Sequence, residues 1–198
     1  MNTKKKLLIS LCSLCLVAAV VVIGVFAFAT QTFTINNRVT FTATDVKADI
    51  TVTGTNGDEA IKMNGEETSI AWSIDASDKA DAATSKTIPD QAFTIDNSGA
   101  TQAAKPITFV VTIKNTGSKS FTATVSDTTL QGLAAADNMD VGVSYKYKPV
   151  STGTETTGAN GQTLATNDEF TVSFTYTLTD VGLSADINQA LMFTLAAV

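Results

Sequence analysis

The chain has 198 residues, 44% of them hydrophobic and 16% charged, with a formal net charge of −6 and no histidine. That length fits one domain plus a targeting segment, and the composition excludes a highly charged disordered chain. The acidic balance excludes a phosphate-tracking surface, so neither nucleic acid nor anionic lipid is expected as a partner.

Met1 to Lys6 makes a short basic start, and the run from Leu7 to Ala29 carries no charge. A basic start, an apolar run and small residues at its end are the layout of a secretory signal. Ala27 and Ala29 give the A-x-A pattern that a signal peptidase pocket accepts, and cleavage there leaves Thr30 first. Losing Lys4, Lys5 and Lys6 takes the net charge from −6, by three positive charges, to −9. The competing reading is an uncleaved anchor. As a helix the uncharged run reaches about 35 Å, enough to span a bilayer. Both readings place residues 30–198 outside the membrane as a single domain, secreted or at the cell surface. Residues 1–29 are then a signal peptide or a membrane anchor. Membrane contact is expected only through residues 7–29, when uncleaved. The two cysteines, Cys12 and Cys15, lie in the apolar run after Leu11 and Leu14, not after the small residue that lipidation requires. An exported domain without a disulfide suits a Gram-positive type of cell.

Past the cleavage point, Phe33 and Ile35 alternate with Thr32, Thr34 and Asn36, without charge. This segment reads either as the first edge strand of its own sheet or as a donor strand. A donated strand would complete a neighbouring copy's sheet through main-chain hydrogen bonds. Such a contact is head-to-tail and builds an open homopolymer.

Period-two alternation then recurs along the chain. Val39, Phe41 and Ala43 make one strand, Ala48, Ile50 and Val52 a second, and Ile70, Trp72 and Ile74 a third, with the one Trp in a core position. Asp75 to Lys86 reads as an exposed excursion. Ile107 to Ile113 and Phe121 to Val125 read as two arms of a hairpin turning at Asn115-Thr116-Gly117-Ser118. Thr129 to Asp137 reads as a turn or two of helix. Val141, Val143, Tyr145 and Tyr147 form another strand, Ser151 to Gly161 a mobile loop, and Phe170 to Leu178 a strand with a Thr/Ser outer face. Leu191, Phe193 and Leu195 close the chain. Seven to nine strands, each with one apolar face, predict an all-β fold. It is expected to be an antiparallel β-sandwich of jelly-roll or immunoglobulin-like type.

Without histidine, and with no cysteine after Cys15, the mature chain lacks the equipment for Ser-His-Asp or Cys-His catalysis. No enzyme activity, cofactor or metal is expected. The weak exception is Asp75, Asp78 and Asp81, three apart in a polar stretch, whose oxygens suit Ca²⁺ without the spacing of an EF-hand. A lysine–asparagine isopeptide bond would suit an exported β-domain, but no residue marks one out.

The stretch Phe41-Thr-Ala-Thr-Asp-Val-Lys-Ala-Asp-Ile-Thr-Val-Thr-Gly54, close behind an export segment, resembles the mature start of TasA/camelysin-type surface proteins of Firmicutes. The Ile107 to Val125 segment with its K-N-T-G run is similar to a second region of that family. Thr44 stands where the family has Gly. The resemblance implies a jelly-roll-like subunit of an extracellular fibre, pilus-like filament or biofilm matrix. The metalloprotease activity described for camelysins does not carry over, for want of zinc ligands. The alternative is a membrane-anchored monomeric adhesin or binding module. A carboxylate-dependent enzyme is the third reading.

Overall fold

The computed structural model describes residues 32–61, 69–76, 85–96, 106–134, 139–178 and 187–198. Twelve strands and one helix lie among them, in this order. β1 is Thr32–Thr44, β2 Lys47–Asn56, β3 Glu59–Ala60, β4 Ser69–Asp75, β5 Ser85–Asp96 and β6 Ile107–Asn115. β7 is Phe121–Val125, α1 Asp127–Ala134, β8 Met139–Lys148 and β9 Thr156–Thr157. β10 is Gln162–Leu164, β11 Glu169–Leu178 and β12 Ile187–Ala197. They form a sandwich-like pair of sheets. One runs β10-β7-β12-β1-β5; the other runs β3-β2-β6-β11-β8-β9, with β4 also paired to β2.

The alternation in the sequence explains the packing. Phe170, Val172, Phe174 and Tyr176 on β11 are at most 1% exposed, and so are Phe109, Val111 and Ile113 on β6. In the antiparallel register Phe170 faces Ile113, Val172 faces Val111 and Phe174 faces Phe109. Side chains directly opposite share a face, so one apolar stripe continues into the next. On the outer face Thr108 meets Thr175 and Thr112 meets Thr171, hydroxyl to hydroxyl, at 3.3 and 3.4 Å. Gly54 faces Phe109 across β2 and β6. A Cβ there would stand 3.0 Å from the Phe109 ring, so a side chain at that position would force the ring to shift. The other sheet supplies Val39, Phe41, Ala43, Phe121, Ala123, Val125, Leu191, Phe193 and Leu195, all at most 3% exposed. Burying side chains of the larger kind contributes about 2–3 kcal/mol each.

Set against the expectations, the structure differs in detail. First, the segment from Ile107 to Val125 is not a hairpin. β6 belongs to one sheet and β7 to the other, so residues 116–120 carry the chain across the sandwich. Asn115, fully buried, organises the crossing. Its Nδ2 donates to the carbonyls of Lys119 and Leu164 at 2.9 and 3.0 Å, and its Oδ1 accepts from the Gly117 N–H at 2.9 Å. Alternation is the same for partners in one sheet and for strands facing across two, so it could not distinguish them. Second, the expected all-β, antiparallel-rich sandwich is found, and within it one pair, β1 with β12, is parallel. Third, Ser85 and Lys86, expected in an exposed excursion, open the long strand β5. The rest of that excursion past Ala76 lies outside the described residues. Pro89 hid the strand. It sits on an edge strand where the register slips between Asn37 and Val39, and both are places that tolerate a missing N–H. Fourth, Trp72 is only half-buried. It stands edge-on to Phe41, with ring centroids 5.6 Å apart.

The helix falls where expected, shifted to begin at Asp127. Ser126 caps it, its Oγ accepting from the Thr129 N–H at 3.2 Å. The stretch from Ser151 to Gly161 is tied down rather than free. It contains β9, which pairs with β8, and the Asn160 side chain brackets the Val125 N–H and carbonyl at 2.7 and 3.1 Å.

Candidate assembly site

β1 is a single strand of 13 residues that joins two segments read separately from the sequence. Thr32, Phe33, Thr34, Ile35 and Asn36 form its first part. All five pair with β5, and Ile35 and Asn36 have a neighbour on both sides. β5 runs antiparallel along one side, Thr32 facing Asp96, Phe33 Ile95, Thr34 Thr94, Ile35 Phe93 and Asn36 Ala92. β12 runs parallel along the other, from Ile35 facing Ile187 to Thr44 facing Ala196. A free edge strand would satisfy half of its backbone groups; this one is placed to satisfy both sets from residue 35 onward.

No hairpin fixes that position. The turn after Thr44 takes the chain straight to β2 in the opposite sheet. At this turn Asp45 adopts a left-handed backbone, with φ 62°, and its carboxylate takes the Lys119 ammonium at 2.6 Å. Two parts of β1 can be told apart. Beyond the slip at Asn37–Val39, the residues Val39, Phe41 and Ala43 are locked into the core. Phe41 stacks on Phe193 at 4.7 Å, with the ring planes 8° apart.

Ala27, Ala29 and Thr30, the cleavage residues, lie outside the described residues, as do Asp78 and Asp81. Asp75 closes β4 and pairs with Lys47 at 2.7 Å, so its carboxylate already has a cation. No group of three His, Cys, Asp or Glu side chains that could hold a metal occurs among the described residues. A cavity of about 130 Å³ is lined by Asp45, Lys47, Gly117, Ser118 and Lys119. It falls short of the few hundred Å³ usual for a small-molecule site.

Sequence reasoning missed a polar node. Asp168 is 3% exposed, yet it is ionisable. Its Oδ2 accepts from the Tyr147 hydroxyl at 2.6 Å and the Ala165 N–H at 2.9 Å; its Oδ1 accepts from the Val150 N–H at 2.8 Å. Its carbonyl receives the Asn115 N–H at 3.0 Å. Burial is the largest single influence on this carboxyl and pushes its pKa up. The bonds from Tyr147, Val150 and Ala165 together outweigh it and hold the group below its ordinary value. The same hydrogen bond to Asp168, then burial and the nearby negative charge, push Tyr147 up to about 12. The node ties β8, β11 and the Asn115 crossing together at one end of the sheet. An Asp directly ahead of an alternating strand was the only sequence signal for it. Its donors are all used in structural bonds, so the node is a brace.

No family model matches the chain, and no curated protein matches it. Among solved structures, it is similar at 11% identity to the major pilin protein T-13 of Streptococcus pyogenes, over 85% of this chain and 97% of that one, with a TM-score of 0.16. At that score the likeness carries no argument for fold or function.

Proposed function

We propose that the chain is an exported structural protein that joins copies of itself head-to-tail into a surface fibre or matrix, with the first part of β1 as the shared strand. One observation supports this reading above the rest. Residues 32–37 pair along β5, and residues 35–37 also along β12, and no hairpin binds them in that slot. The equivalent strand of a second copy would fit that slot with the same register. The export segment and the resemblance of Phe41 to Gly54 to TasA/camelysin-type starts agree with it. The role is structural, not catalytic.

The test is negative-stain electron microscopy of the chain recovered from an exporting host, across concentration, beside a variant lacking residues 30–36. Fibres from the first and folded monomers from the second are expected. Fibres from both would overturn strand donation. Monomers from both would overturn the polymer and leave the anchored binding module.

A further inference from the structure

We propose that the fold is built to carry tension between its two ends, with the β1–β12 pair as the loaded joint. This rests on the register of the strands within one copy.

β1 and β12 run in parallel for ten residue positions, Ile35 facing Ile187 through Thr44 facing Ala196. The chain ahead of Thr32 therefore leaves from one end of this ladder, and the chain after Ala197 leaves from the other. Pulling on both draws β1 towards its start and β12 towards its finish. The hydrogen bonds bridge the two strands at a slant, evenly spaced along the ladder. They are loaded together in shear and must fail together. Antiparallel terminal strands would leave from the same end and unzip one pair at a time.

The side chains oppose sliding as well. Val39 faces Leu191, Phe41 faces Phe193 and Ala43 faces Leu195, and each of the six is at most 3% exposed. Phe193 is held on two sides. Its ring stacks on Phe41, and it meets Phe174 of the opposite sheet edge-on at 6.3 Å. A slip of one residue would turn this whole set away from the core. β5 grips the other side of β1 from Thr32 to Thr42. A load arriving through β1 is thus shared by two ladders.

Single-molecule pulling tests this on the full chain with Cys12→Ser and Cys15→Ser, with handles on introduced cysteine pairs. Thr32→Cys with Val198→Cys loads the ladder in shear. Thr32→Cys with Ile187→Cys loads the same fold from one end and peels it; Asn188→Cys serves if the Ile187 variant does not fold. Forced unfolding reads the barrier in the pulled direction. At equal pulling speed the rupture force is expected to be several-fold higher in the first geometry. Equal forces in the two geometries, or a lower force in the first, would overturn the proposal.

Discussion

Replacing Asp168 with Ala should be among the costliest polar substitutions in the described fold. The carboxylate takes three hydrogen bonds, from Tyr147, Val150 and Ala165. Bonds to a charged group are worth about 1.5–3 kcal/mol each when the stranded donor stays buried. Here the donors regain water, since Val150 is 61% exposed and Tyr147 is half-exposed. About 1 kcal/mol per bond is then the fair figure, or about 3 kcal/mol in all. In a domain of this size that lowers Tm by roughly 6–12 °C. Asp168→Asn keeps the shape but turns an amide N–H towards a donor, and should cost about 1–2 kcal/mol. Urea unfolding followed by Trp72 fluorescence measures both, with an unchanged m-value as the check. The pH dependence separates charge from shape. The folded pKa of Asp168 lies below the unfolded one. Its stabilisation is therefore complete above the unfolded value of about 3.9 and disappears as pH falls through the lower folded value. The gap between parent and Asp168→Ala should narrow in strong acid. A loss under about 0.5 kcal/mol at neutral pH, within ordinary surface noise, would refute the reasoning. So would a gap that stays constant into acid.

Phe193→Ala should cost about 3–5 kcal/mol, because the ring is 2% exposed and rests on both Phe41 and Phe174; calorimetry checks it. Tyr147→Phe acts at the alkaline end. Folding raises this phenol to about 12, so its contribution is complete below the unfolded value near 10 and is lost as pH rises through 12. Parent and variant stability curves should converge across that window, read by denaturation at stepped pH.

Particular residues show what the sequence could and could not reveal. The faces of β6 and β11 were legible because Ile, Val and Phe alternate there with mostly polar residues, Val110 being the one apolar exception on the outer face. The partners of those strands were not legible, since the two sheets present the same pattern. Asn115 looked like a turn residue because Asn and Gly favour turns. Its side chain is instead a fully buried link between the sheets. β5 was obscured by Pro89, whose effect depends on being at an edge and a bulge, which only tertiary structure decides. At the candidate site the apolar alternation of Phe33 and Ile35 was visible, but the flanking of both by β5 depends on residues far along the chain. The Asp168 brace draws on β8, on the turn before β11 and on β6 at once, so no local window contains it.

The parallel pairing of β1 with β12 also sets an order of events in time. Of the described strands β1 emerges first in synthesis, yet one of its two neighbours, β12, is the last of them. Its sheet cannot close until β12 is free. Contacts so distant in sequence close slowly. Under the proposed role, in which the chain crosses a membrane unfolded, that delay would be useful: β1 would wait, unpaired on one side, until β12 had followed it across.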